Sequence, residues 1–235
     1  QLAGLDICAL EWVILPICQV LKWGPVPEQQ KIIVELPRVS FDEKRLVRDL
    51  QQLQDLGYEK ILVQNPSHIF LGKSMGFQMY GGFGLNVTNS YSAAFYKEQG
   101  LTDVTLSFEL NLNQAKRINR GIPIGLIAYG RLPLMTTRSC PIKKYKDCRN
   151  CSGHGTLTDR QGKQFEIRCH QEVREIYNPD TLYMADKMED LVPFDFIMLY
   201  FTGESNAEIK RVVQEYISGS GTKNHMTRGL YYRKV

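Results

Sequence analysis

The chain has 235 residues, 43% of them hydrophobic and 23% charged, with a formal net charge of +4. That composition describes an ordinary folded α/β protein of one large or two small domains, and it excludes a low-complexity, collagenous or solenoid chain. The charge is too small to argue for nucleic acid globally.

In chain order, Ile7–Leu21 is an apolar run interrupted by Glu11 and Pro16. It is too short to span a bilayer and lacks a signal peptide's basic flank, so it is expected to be buried or covered by a partner, with no membrane span. Cys8 and Cys18 lie in it as small core residues. Lys31–Leu36 (KIIVEL) reads as a buried strand ended by Pro37. Ser40-x-x-Glu43 has the form of a capping box, and Leu46, Val47, Leu50, Leu53 and Leu56 then recur at helical spacing up to Gly57. Lys60–Gln64 is a second strand, and Asn65-Pro66 opens a loop and a short helix.

The alternation continues through Phe77–Leu85, a helix over Ser90–Gln99 closed by Gly100, a strand over Val104–Phe108, a helix over Leu112–Asn119 and a strand over Ile122–Tyr129. A hairpin is expected from Thr156–Thr158 and Gln164–Arg168 around the turn Arg160–Lys163. Phe194–Phe201 reads as a strand, and Ser205-x-x-Glu208 caps a helix carrying Ile209, Val212, Val213, Tyr216 and Ile217. Repeated strand–helix units predict a parallel sheet, open or closed. About six core strands fall short of the eight that close a (β/α) barrel, so the expected barrel is incomplete and a missing segment or partner chain would complete it.

Four cysteines, Cys140, Cys148, Cys151 and Cys169, have the spacing Cys-x7-Cys-x2-Cys-x17-Cys. The Cys-x2-Cys bite lets two thiolates reach one metal, the other two complete a four-sulfur shell, and both zinc and an iron–sulfur cluster accept such a shell. With no secretory signal in view, metal is favoured over disulfides in a reducing, cytoplasmic setting. His154 and His170 flank the region and suit a supporting role around the metal better than direct ligation.

Parallel sheets place their chemistry at the carboxyl ends of strands. Gln64, Asn65, Asn86, Asn89, Glu109, Asn111 and Tyr129-Gly-Arg131 stand at such ends, with Arg138 leading into Cys140. Asn89 suits a helix cap, while Glu109 is the better pocket candidate. Arg131 and Arg138 have the planar fork that grips carboxylate or phosphate. Asp159 and Arg160 read more simply as a hairpin ion pair. Five basic residues lie between Arg138 and Arg149, and four more with His225 lie between Lys223 and Lys234. These clusters could track RNA phosphates, with Tyr145, Tyr231 and Tyr232 offering stacking rings. A solvated surface explains each cluster equally well.

From about Lys31 onward the chain resembles the collagenase-like peptidases, unassigned peptidase family thirty-two. The resemblance is carried by Leu85-Asn-Val-Thr-Asn89, Ile122 to Met135, Arg138-Ser-Cys-Pro141, Leu157-Thr-Asp-Arg160 with Cys169, and Thr227 to Arg233. The nearest subgroup includes the bacterial enzyme that hydroxylates a cytidine of large-subunit ribosomal RNA. The resemblance implies a (β/α) barrel and a 4Fe-4S cluster on Cys140, Cys148, Cys151 and Cys169. It also implies relatives that hydroxylate tRNA or ubiquinone, several with prephenate as cosubstrate. Ubiquinone-pathway members carry a cysteine where this chain reads Leu132-Pro-Leu134, which sets that branch apart.

The expected function is therefore RNA base hydroxylation. Glu109, Tyr129 and Arg131 are the catalytic candidates, and Asn86, Asn89, Arg138 and Arg228 the substrate-binding ones. Two alternatives stand beside it: a collagenase-like peptidase and a zinc-stapled RNA-binding or scaffold module. The peptidase lacks support in the residues, since there is no His-Glu-x-x-His and the four histidines are scattered. The expected organisation is an apolar segment over 1–30 and a barrel-like domain over 31–235 with a cysteine-rich insertion at 138–170.

Overall fold

The computed structural model describes residues 9–118, 121–143, 148–170, 172–221 and 226–233. Cys8, Asn119, Tyr145, Lys223, His225 and Lys234, all invoked above, lie outside the described residues. The elements in chain order are β1 (Val13–Pro16), α1 (Ile17–Trp23), β2 (Ile32–Glu35), α2 (Glu43–Asp55), β3 (Lys60–Val63), α3 (Ser67–Ser74), β4 (Gln78–Gly81), α4 (Ser90–Glu98), β5 (Leu101–Thr105), α5 (Leu112–Lys116) and β6 (Ile124–Gly130). They continue with β7 (Pro133–Thr137), β8 (His154–Thr158), β9 (Gln164–His170), β10 (Val173–Tyr177), β11 (Thr181–Tyr183), α6 (Met188–Leu191), β12 (Phe196–Tyr200), α7 (Asn206–Ser218) and β13 (Met226–Thr227). The chain divides into two compact units, one of residues 1–127, 189–198 and 230–235 and one of residues 128–188 and 199–229.

In the first unit β1 to β6 pair in sequence order, every pair parallel. Connections through helices put apolar residues on both faces of these strands, which explains why Ile32, Ile33, Val34, Ile61, Leu62 and Val63 are all buried. Ile33, Leu62 and Tyr80 form a core cluster on one face, joined by Trp12, Ile14 and Met198. The sheet is parallel α/β as expected, but β1 is an open edge among the described residues and no pairing closes a barrel. The apolar run expected to be merely buried supplies a strand and a helix, β1 and α1.

The helix caps follow the local signals in part. The helix α2 buries Leu46, Leu50 and Leu53, whereas Val47 faces outward at 39% exposure. Its cap is Asp42, whose side chain accepts the Arg45 N–H at 2.9 Å, so the box expected at Ser40 does not form; the Ser40 hydroxyl donates to the Asp42 carbonyl instead. A capping box does open α5, with Asn111 accepting the Gln114 N–H and Gln114 accepting the Asn111 N–H. The expected strand over 77–85 is shortened to β4 because Phe83–Leu85 turns as a 3-10 helix.

In the second unit β11 pairs antiparallel with residues 129–130 of β6 and parallel with β13. The helix α7 starts at the expected box, Ser205 with Glu208, and ends at Gly219 in the left-handed conformation. It buries Val212, Val213 and Tyr216, while Ile217 is 55% exposed. The Tyr216 hydroxyl donates to the Ala128 carbonyl at 2.6 Å and accepts the Met184 N–H at 2.7 Å.

The hairpin expected around Arg160–Lys163 is present as β8 and β9, and it belongs to a four-stranded antiparallel sheet of order β7-β10-β9-β8. β7 and β10 carry no alternating apolar pattern strong enough to announce them.

Candidate metal and substrate-binding sites

The antiparallel sheet organises the cysteines. Thr137 of β7 is opposite Arg174 of β10, and Arg174 is opposite Cys169 of β9. On the other side of β9, Arg168 is opposite His154, the first residue of β8. The carboxyl ends of β7 and β9 and the amino end of β8 therefore lie at one end of the sheet. Cys140 leaves that end three residues after β7, and Cys151 enters it three residues before β8.

Backbone contacts tighten this arrangement. Cys148 opens a 3-10 turn in which the Cys151 N–H donates to the Cys148 carbonyl at 3.3 Å. Gly153 has φ +79°, a left-handed turn that glycine adopts without strain, and its carbonyl accepts the Cys169 N–H at 2.9 Å. The loop after Cys140 folds onto β8, where Ile142 occupies the space a Cβ on Gly155 would need. Cys148 and Cys169 are exposed, Cys140 and Cys151 half-buried, and none is in a disulfide.

Four thiols from three neighbouring segments are a donor set that suits zinc or an iron–sulfur cluster. Among the described residues, no three His, Cys, Asp or Glu side chains are gathered around one point closely enough to hold a metal. The donors thus share one end of a sheet without forming a closed shell.

Around them lies a polar network that the sequence did not reveal. Glu175 is 4% exposed and accepts from Tyr177 Oη at 2.5 Å and Thr136 Oγ1 at 3.4 Å. The His170 ring stands 3.0 Å from Tyr177 Oη. Burial first, then the Tyr200 and Glu175 groups, hold the Tyr177 phenol far above its ordinary pKa, so it is a fixed donor to Glu175. Glu166 bridges Arg131 at 3.2 Å and Arg168 at 2.6 Å, with His154 at 3.8 Å. The Arg174 guanidinium donates to the Arg138 carbonyl at 3.0 Å, tying β10 to the strand that leads into Cys140.

The other expected site residues divide. Tyr129 is 1% exposed, packed with Tyr183, Phe201 and Tyr216, and its phenol is raised by burial and then by Glu204, which it hydrogen-bonds. Arg228 grips Asp186 through two bonds of 2.7 and 2.6 Å and also donates to the Tyr183 carbonyl, an arrangement that braces the second unit. This contact holds the Asp186 carboxyl below its usual range.

In the first unit Asn89 caps α4 by accepting the Ser92 N–H at 2.9 Å, so its side-chain oxygen is committed to the helix. Asn86 is exposed with φ 51°, a backbone conformation asparagine tolerates well. Glu109 is exposed and follows a turn in which its N–H donates to Ser107 Oγ at 3.3 Å.

Gln64, named above at a strand end, is 2% exposed, and it bonds the partly buried Glu35, which the sequence reading did not single out. The available signal was that Glu35 is the single charge at the end of an otherwise apolar strand.

The chain matches the model of peptidase family U32 over residues 29–212. It belongs to that family. The match spans both units, including the first three cysteine positions and Cys169. Among curated relatives, this U32 member is 25% identical over 142 residues to tRNA hydroxylation protein P of Escherichia coli, covering 58% of this chain and 31% of that protein. It is 23% identical over 133 residues to tRNA hydroxylation protein P of Haemophilus influenzae, covering 54% and 29%. The chain thus spans less than a third of the length of these relatives. No solved structure matches it. Among the described residues no helix is long and apolar enough to cross a membrane.

One histidine of this U32 member is buried in its neutral form. His68 is 2% exposed inside α3, its Nδ1 has no hydrogen-bond partner, and burial lowers its pKa from 6.5 to about 4. Because the folded value lies below the unfolded one, stability is complete above about pH 6.5 and is lost as pH falls toward 4. That loss should reach about 3 kcal/mol. In urea titrations between pH 7 and 4, His68→Leu should remove this part of the acid sensitivity. An unchanged pH profile in the variant would show that His68 is not the group responsible.

Proposed function

We propose that this chain carries the cluster-binding and RNA-binding parts of an iron–sulfur-dependent RNA hydroxylase. The observation that carries the reading is the delivery of Cys140, Cys148, Cys151 and Cys169 to one end of the antiparallel sheet by β7, β8 and β9. The relatives named for tRNA hydroxylation support RNA modification as the reaction class. A cluster held by these four thiolates would supply one-electron transfer to an oxygen-independent hydroxylation. The parallel sheet of the first unit would then belong to a (β/α) barrel, with the cysteine region as an insertion into it.

The residues around the cysteines have definable tasks. Arg174 stands opposite Cys169, and its bond to the Arg138 carbonyl holds β10 against the segment that leads into Cys140. Glu175, Tyr177 and His170 brace the strand ends by hydrogen bonds, the supporting role expected around metal ligands. Arg131, half-exposed and held by Glu166, is positioned to meet an anion: an RNA phosphate, or the carboxylates of a cosubstrate such as prephenate. Arg138 and Arg149 extend the basic surface toward an RNA backbone.

Two measurements test this. Protein purified anaerobically from iron-replete cells should contain iron and acid-labile sulfide with broad visible absorption. Zinc alone, without sulfide, would overturn the redox reading and favour a zinc-stapled RNA-binding module. Affinity for unfractionated tRNA should fall steeply between 50 and 200 mM salt, roughly tenfold or more if several phosphates are contacted. Salt-independent binding, or none, would remove RNA as the substrate.

A further inference from the structure

One face of the first unit's sheet changes character along its strands. One layer is apolar, with Ile33 of β2, Leu62 of β3 and Tyr80 of β4 packed together. Two residues further toward the carboxyl ends, on the same face because side chains alternate, come Glu35, Gln64 and Gly82. A charge here does nothing for strand pairing, which uses only the backbone, and an apolar side chain would be the cheaper occupant.

The polar layer is built, with each group holding the next. The Gln64 amide nitrogen donates to Glu35 Oε1 at 2.5 Å, and its carbonyl oxygen accepts the Gly84 N–H at 2.8 Å. The amide can therefore sit only one way round. Gly82 and Gly84 are required beside it, since a Cβ at either position would overlap Gln64. The pairing of Gly81 with Val104 makes Gly82 and Thr105 neighbours on that face. Thr105 is 1% exposed, and its hydroxyl has no hydrogen-bond partner among the described residues. Glu35 itself is only partly buried. Three residues on, the Arg38 guanidinium lies 5.0 Å over the Phe83 ring, and the Asn65 amide donates to the Arg38 carbonyl at 3.3 Å.

A carboxylate accepts hydrogen bonds and donates none, so a ligand read by Glu35 must present an N–H or O–H. The planar Arg38 guanidinium, backed by the buried Phe83 ring, is a plane on which a base could stack. A donor edge on a flat ring is the description of a nucleobase. We propose that Glu35, oriented by Gln64, is the specificity-determining acceptor of a nucleobase-binding site at the carboxyl ends of β2 to β5. The site takes a base through the N–H groups of its Watson–Crick edge. This assignment rests on the RNA-modifying reading above and adds to it the group that reads the base. Gln64 is a positioning residue, acting through Glu35.

The test uses the intact chain and fluorescence polarisation with labelled hexamers of uridine and cytidine. Matching hexamers of 3-methyluridine and N4,N4-dimethylcytidine lack the donor but keep the charge. The wild-type protein should bind at least one parent hexamer about tenfold more tightly than its methylated form. Glu35→Ala should weaken the parent by the same factor and bind both forms alike, and the isosteric Glu35→Gln should retain the fold by circular dichroism while losing most of the discrimination. Gln64→Leu should reduce discrimination without changing the salt dependence of binding. Equal wild-type affinity for both forms, or discrimination that survives in Glu35→Ala, overturns the assignment. If tRNA still binds in a salt-dependent way in that event, the RNA reading stands and only Glu35 is dismissed. If neither tRNA nor any hexamer binds, both fall together.

Discussion

Replacing Gly130 by alanine should destabilise the protein by about 3 kcal/mol or more, among the largest single-residue effects expected outside the hydrophobic core. Gly130 ends β6 with φ +132°, a region of backbone space that is essentially restricted to glycine. A Cβ there would overlap the carbonyl oxygen of Tyr200 and stand 3.0 Å from that residue's carbonyl carbon and Cβ. The obstructing atoms are backbone, so no side-chain rotation relieves the clash. The strand would have to move, carrying Tyr129 out of its aromatic cluster and Arg131 away from Glu166. A useful control is Gly162→Ala in the β8–β9 turn, where φ is +79° and nothing lies within 4 Å of the added Cβ. That change should cost only the left-handed strain, about 1 kcal/mol. Urea unfolding of both variants decides the matter, and near-equal midpoints would show that the Gly130 approach to Tyr200 is not tight.

Changing Cys148 and Cys151 together to serine should abolish bound iron and sulfide and bleach the visible absorption completely. These two residues share one turn, with the Cys151 N–H bonded to the Cys148 carbonyl, so their thiols are the pair fixed relative to each other by local structure alone. A serine hydroxyl is a far poorer ligand for iron or zinc than a thiolate. The parallel sheet of the first unit is built from its own strands, so hexamer binding at Glu35 should persist in the double variant. A variant that kept its full iron and sulfide content would remove Cys148 and Cys151 from the cluster. Loss of all binding together with the metal would instead show that the metal supports the RNA-binding fold. Cys18, exposed in α1 and distant in sequence from the four, should be replaceable by serine without any change in metal content.

The alternation of strands and helices in the first unit was legible because each element carries its own local signal. Buried parallel strands read as continuous β-branched runs such as KIIVEL, and α7 is announced by the Ser205 and Glu208 box beside a period of apolar residues. The cysteine spacing was equally legible, since ligand chemistry depends on residue type. The sequence by itself thus determined the parallel α/β class, several helix starts and the spacing of the four cysteines.

Other features depended on tertiary structure. β7 exists because it pairs with β10, and β10 because it pairs with both β7 and β9; β7 leaves Leu134 and Met135 exposed, so no alternating pattern marks it. Ser40 lost the cap to Asp42 because a cap is chosen by backbone geometry at the helix entry, which several nearby polar residues can satisfy equally in sequence. The bonds from the Arg228 guanidinium to Asp186, 42 residues away, come from a contact that no local pattern announces. Glu35 and Gln64, 29 residues apart, became a site only when adjacent strands set them on one face. Local periodicity and residue chemistry act over a few positions and survive in the sequence. The partners of a carboxylate, a guanidinium or an edge strand come from distant segments, and only folding decides which of them arrive.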